Sequence, residues 1–143
     1  MVMEYNNDIP VLRPYIDYDN SEFWEALRQR KLVFQKCQKC GLLIHRPRPM
    51  CPRCLSTDRE WAPSEGKGVI YSYTNIVYPN AGYPGIKTPY TVVVVEMTEG
   101  VRLLSNMYDV KPDDVYIGMP VEVVFEDIDD DLTLPKFQRR SAP

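Results

Sequence analysis

The sequence predicts a small, mainly β protein with one short helix and a metal-stapled module, and three observations carry that expectation. Two C-x-x-C pairs, Cys37/Cys40 and Cys51/Cys54, are separated by ten residues. Ahead of them, only Asp19 to Lys31 has helical spacing, with Phe23, Trp24 and Leu27 on one side. After them, residues 63–143 hold five segments rich in Val, Ile, Tyr and Thr and no convincing helix.

The cysteines are the most specific signal. Each C-x-x-C puts two thiolates on one tight turn, and two such turns supply the closed tetrahedral sulfur set that a structural Zn²⁺ prefers. Two disulfides, buried core thiols or redox-active pairs are the competing readings, and none explains two pairs of identical internal spacing. Redox pairs would also need a helix to follow, and here a Pro- and Arg-rich loop does. Four sulfurs fill the coordination sphere, so the metal is expected to staple the fold and leave no open position for substrate. Sulfur-only ligation would also hold iron. Gly41 suits a turn through positive φ, whereas Leu55 stands at the equivalent place in the second pair, which predicts a less regular second knuckle. His45, the single histidine, lies between the pairs and is read as a packing or surface residue.

The elements follow in order. Residues 1–18, with Pro10 and Pro14, read as an extended arm expected to pack on a neighbour. Asp19 and Glu22 resemble a capping box for the short helix. The ribbon spans 32–62, where Leu32–Phe34 and Leu42–Ile44 are expected to pair. The five later segments are Lys67–Tyr78, Tyr90–Thr98, Val101–Tyr108, Val121–Glu126 and Leu132–Phe137, with a hairpin at Glu99-Gly100. Five short strands in about 75 residues match an OB-type barrel, with an open sheet or a small SH3-like barrel as alternatives. The expected division is therefore 1–31 for arm and helix, 32–62 for the ribbon and 63–143 for the barrel.

The net charge of −3 conceals an asymmetry. The stretch from Arg28 to Arg59 carries about +8 and the remainder about −11. The positive charge is either a solvated ribbon surface or a place for a phosphate-bearing ligand or acidic partner. The longest aliphatic run, Val92 to Val95, is far too short to span a bilayer, and metal-organised reduced cysteines suit a cytoplasmic location. No nucleophile and base stand together, and the acids Asp127, Asp129, Asp130 and Asp131 read as a hydrophilic turn. The chain is thus not expected to be an enzyme by itself.

Candidate ligand-binding residues lie in three places. Tyr83, Lys87 and Tyr90 belong to, or border, a Pro/Gly-rich loop longer than a hairpin needs. Lys136, Phe137 and Arg139 lie in the C-terminal segment, and Arg46 and Arg48 in the ribbon.

Five motifs in order resemble the DUF-thirty-five (DUF35) family: Phe23-Trp24-Glu25-Ala26-Leu27; the two knuckles with Pro47-Arg48-Pro49 between them; Gly68 to Thr74; Ile117-Gly118-Met119-Pro120-Val121; and Leu134-Pro135-Lys136-Phe137. The resemblance covers about Asp19 to Phe137. It implies an N-terminal helical segment, a rubredoxin-like zinc ribbon with Cys37, Cys40, Cys51 and Cys54 as ligands, and a C-terminal five-stranded OB-fold. It also implies a non-catalytic, acyl-CoA-binding accessory subunit of a thiolase-like, hydratase-like or aldolase-like enzyme, in a hetero-oligomer that holds or gates the CoA thioester. The alternative class is a single-stranded nucleic-acid-binding protein, since zinc ribbons and OB-folds both bind single strands elsewhere. The acidic barrel region argues against it, because a phosphate-tracking groove carries positive charge.

Overall fold

The computed structural model describes residues 3–78 and 85–141. One helix, α1 (Ser21–Arg28), precedes a three-stranded antiparallel sheet and a five-stranded one. The small sheet has β1 (Val33–Cys37) in the middle, flanked by β2 (Leu43–Ile44) and β3 (Arg59–Pro63). The larger sheet runs β6 (Arg102–Asn106), β5 (Tyr90–Met97), β4 (Lys67–Ile76), β7 (Pro120–Asp127) and β8 (Thr133–Arg139) in spatial order. A parallel bridge between Met107 and Phe137, with the Tyr108 amide donating to the Phe137 carbonyl at 2.7 Å, joins the two outer strands and nearly closes the sheet. That strand order and parallel closure are those of an OB-type barrel, so the open-sheet and SH3-like alternatives fall away.

The helix is shorter than the spacing predicts and is capped differently. Asp19 makes no capping bond; its carboxylate meets the Arg59 guanidinium at 2.5 Å, tying the helix entry to β3. At the other end Arg30, at φ 61°, turns the chain, and the Lys31 amide reaches back to the Ala26 carbonyl at 2.9 Å, a Schellman-type stop. Phe23 and Leu27 are buried and Trp24 packs against the same core, so the apolar face of α1 lies on the barrel wall.

The barrel segments match expectation closely. Val93 and Val95 point into the core while Val92 and Val94 face outward, which is why four consecutive valines form one strand and not a fully buried run. The Gly100 turn, at φ 88°, closes the β5–β6 hairpin with Met97 and Val101 paired at 2.8 Å. β3 is the element that composition did not signal: Arg59–Pro63 pairs along all of β1, from Val33 opposite Pro63 to Cys37 opposite Arg59.

Two expectations gain detail. The arm lies on its own barrel, through the Met3 amide on the Tyr108 carbonyl, a Tyr5–Ile86 bridge and the Tyr5 hydroxyl on Glu126. The acidic turn is exposed, as expected of a hydrophilic turn, and two of its acids are paired, Asp129 with Arg13 of the arm and Asp127 with Arg30 of the helix end. These guanidiniums hold both carboxyls below the usual range.

Candidate functional site

The four cysteines converge. Their Sγ atoms all lie within 4.8 Å of one another, with Cys37–Cys54 at 3.5 Å and Cys40–Cys51 at 3.6 Å. A tetrahedral ion with metal–sulfur bonds of about 2.3 Å needs sulfur–sulfur edges of roughly 3.8 Å, close to the two short edges and below the 4.8 Å bound on all six, so the donor set fits zinc. The two knuckles are built alike. The Gly41 amide donates to the Cys37 carbonyl at 2.9 Å and the Leu55 amide to the Cys51 carbonyl at 3.0 Å. Gly41 stands at φ 75° and Leu55 at φ 64°, so leucine adopts the left-handed turn that glycine takes in the first knuckle, and the expected irregularity is absent.

The local electrostatics favour thiolates at one end of the site. The Leu42 amide, helped by Arg53, lowers the Cys40 thiol to about 6, and the Cys40 and Lys39 amides lower Cys37. At Cys54 the Ser56 amide also lowers the pKa, yet burial and the three surrounding sulfurs push it up to about 11. Four thiolates cannot stay ionised together without a cation among them.

A second feature is a cleft of about 360 Å³ where α1, the His45–Pro47 turn and the β6/β8 wall meet. It brings together Arg46 and Lys136, two of the residues singled out in the sequence. Lys136 lies on β8, which α1 covers from outside, and is only 5% exposed. Its Nζ donates to Asn106 Oδ1 at 2.8 Å, and burial lowers its pKa to about 8 against the opposing pull of Glu126. His45 lines the same wall, with its ring 5.4 Å from Phe23 and 5.8 Å from Phe34. Burial lowers its pKa to about 4, so it is neutral, and its Nδ1 has no hydrogen-bond partner.

The remaining candidates are not gathered there. Arg48 is exposed, with its amide held by Gln35 Oε1 at 3.0 Å. Lys87 is exposed and faces Glu4 at 3.5 Å, and Arg139 is exposed at the end of β8. Tyr83 lies outside the described residues. Tyr90 and Phe137 are buried, Phe137 at 0% exposure in the core because β8 alternation turns its ring inward, and neither lines the cleft. Phe23, Trp24, Leu103 and Asn106 line the cleft without having been singled out as ligand residues. The apolar helix face signalled the first two, while nothing local to the sequence links Asn106 to Lys136.

Part of the positive charge of the ribbon stretch is answered within the fold. Arg28 pairs with Glu25, Arg30 with Asp127, Lys36 with Glu60 and Arg59 with Asp19, and Arg53 donates to the Cys40 carbonyl. Among the described residues no helix is long and apolar enough to cross a membrane.

Comparison with known proteins agrees with this architecture. Residues 24–60 match the family model of the ChsH2 rubredoxin-like zinc ribbon domain, and residues 61–126 that of the ChsH2 C-terminal OB-fold domain. A probable enoyl-CoA hydratase alpha subunit of Thermomonospora curvata is 44% identical over 126 residues, covering 88% of this chain; this chain spans only 39% of that protein. A DUF35 domain-containing scaffold protein of Methanocaldococcus jannaschii is 34% identical over 110 residues, 76% of this chain and 77% of the relative. The solved structure described as an Ltp2-ChsH2(DUF35) aldolase superimposes with a TM-score of 0.82 at 42% identity, covering 89% of this chain and 98% of that one. With its paired knuckles, its barrel closure and these matches along most of its length, the chain belongs to the DUF35 family of proteins that join a rubredoxin-like zinc ribbon to an OB-fold.

Proposed function

We propose that this chain is a non-catalytic accessory subunit that associates with a thiolase-like, hydratase-like or aldolase-like enzyme and holds or gates a CoA thioester beside the partner's active site. The observation that carries the reading is an apolar stripe on the outer barrel face that runs to the cleft. Tyr71 is 48% exposed at the bulge of β4, and Leu104 is 57% exposed on β6. The register places Ser72, Val94 and Leu104 side by side across three strands, and Arg102 stacks over the Tyr71 ring at 3.7 Å. Leu104 also forms part of the cleft wall, so a protein covering the stripe would stand at the cleft mouth. Exposed tyrosine and leucine on one barrel face are the kind of apolar surface an interface covers.

Two further facts support a subunit over an enzyme. The single histidine is only partly exposed, and burial lowers its pKa to about 4, so it is a weak base and proton transfer falls to a partner in this reading. Relatives are named as a probable enoyl-CoA hydratase alpha subunit, a benzoylsuccinyl-CoA thiolase subunit and a DUF35 domain-containing scaffold protein. The zinc centre, with Cys37, Cys40, Cys51 and Cys54 as ligands, serves as a staple in this reading. Co-purification of the tagged protein at native expression level tests it. An acyl-CoA enzyme should be recovered with wild type and lost with Leu104→Asp at unchanged melting temperature. Recovery of nucleic acid and no enzyme would replace this reading with the single-strand-binding one.

A further inference from the structure

We propose that the cleft between α1, the His45–Pro47 turn and the β6/β8 wall binds an amphipathic anion, with its carboxylate or phosphate head on Lys136 and Arg46 and its apolar body against Phe23, Trp24 and Leu103. The inference deepens the subunit reading by naming the chemistry of one site, and it rests on that reading only for the source of the anion.

The argument begins with Lys136. An ammonium carries three donors, and a buried one needs a counter-charge or full hydrogen bonding to offset desolvation. Among the described residues, Lys136 Nζ has one hydrogen-bond partner, the neutral amide oxygen of Asn106, and no carboxylate at ion-pair distance. Asn106 is itself turned toward the lysine because its Nδ2 donates to the Thr91 carbonyl at 3.4 Å. Glu126, the acid whose field reaches Lys136, already accepts the Tyr5 hydroxyl. A structural role at this position would be filled by methionine or leucine without any desolvation cost. The charge is therefore uncompensated inside the protein, and it faces a cavity.

The other cleft groups complete a polar end and an apolar end. Arg46 is exposed at the rim and, among the described residues, makes no ion pair or hydrogen bond through its side chain. Asn20, also on the cleft wall, already donates one amide N–H to the Tyr15 carbonyl and accepts from the Asp17 amide, and it carries no charge for an anion. Opposite the cations, the Phe23 and Trp24 rings meet edge to face at 5.2 Å and form a wall with Leu103 and Pro135. A volume of about 360 Å³ is at the small end of ligand pockets, roughly 300–1,000 Å³, so the cleft suits one end of a CoA thioester and not the whole molecule.

Calorimetric titration of the zinc-loaded full chain with octanoate, octanol and free CoA tests the proposal, with Trp24 emission as a second signal. At least one anion should bind about tenfold or more tightly than octanol, and Lys136→Met should remove that advantage while leaving octanol unchanged. The same variant should keep or raise the melting temperature, which a lysine needed for folding would not allow. Arg46→Ala, at an exposed position, gives the same test without risk to the core. Loss confined to octanoate identifies an acyl carboxylate as the natural head, and loss confined to CoA identifies a phosphate. Neither octanoate nor CoA binding more tightly than octanol, no binding of either anion at millimolar concentration, or full anion affinity in both variants would overturn the assignment. None of these readouts involves a partner enzyme, so their failure leaves the co-purification result standing.

Discussion

The knuckle end of the ribbon and the barrel are held together by different physics. Around the cysteines the buried cluster is only Cys37, Ile44 and Cys51, with Cys40, Leu42 and Cys54 partly covered. The barrel encloses a continuous apolar core that includes Ile70, Val93, Val95, Met119, Val121 and Phe137. That core also takes in Phe23 and Leu27 of α1 and Leu32 and Phe34 at the start of β1. The ribbon is thus apolar where it touches the barrel and metal-dependent where it turns away. A small module too thin to bury a core substitutes ligand bonds for hydrophobic area.

The comparison breaks most visibly at the metal. Cys37→Ser, or chelation of wild type, should remove on the order of 5 kcal/mol from the knuckle end, because metal-binding free energy is folding free energy there. Amide hydrogen exchange should then open residues 37–58 while β5 amides keep their protection; uniform loss would show that ribbon and barrel unfold as one unit. Phe137→Ala should act in the opposite place. Deleting a fully buried ring costs about 3–5 kcal/mol, so the global melting transition should fall by a similar amount with or without metal.

Much of this was legible in the sequence because it is local. Paired C-x-x-C spacing, alternation in Val121–Glu126 and the Glu99-Gly100 turn each declare themselves within a few residues. β3 did not, since Arg59–Pro63 is extended by its pairing with β1 and not by its own composition. The candidate site divided on the same line. Lys136 and Phe137 are neighbours in a strand, so alternation sends one to the cleft and the other to the core, and no property of either residue alone says which. Asp19 beside Glu22 suggested a cap, yet Arg59, far along the chain, captured the carboxylate. Long-range partners override local preference wherever a charge finds a better-placed counter-ion.

The smallest expected effect sharpens the comparison within the ribbon. Gly41 and Leu55 occupy equivalent left-handed positions, and a side chain with a β-carbon is strained there by about 1 kcal/mol. A Cβ built on Gly41 meets nothing within 4 Å, and Leu55 is 65% exposed, so packing contributes little at either site. Leu55→Gly should therefore tighten zinc binding by roughly fivefold, and Gly41→Leu should weaken it by a similar factor. Competition with a calibrated chelator measures both. If Leu55→Gly weakens binding instead, the exposed leucine is contributing contacts that outweigh its backbone strain, and the second knuckle depends on apolar packing that the first does without.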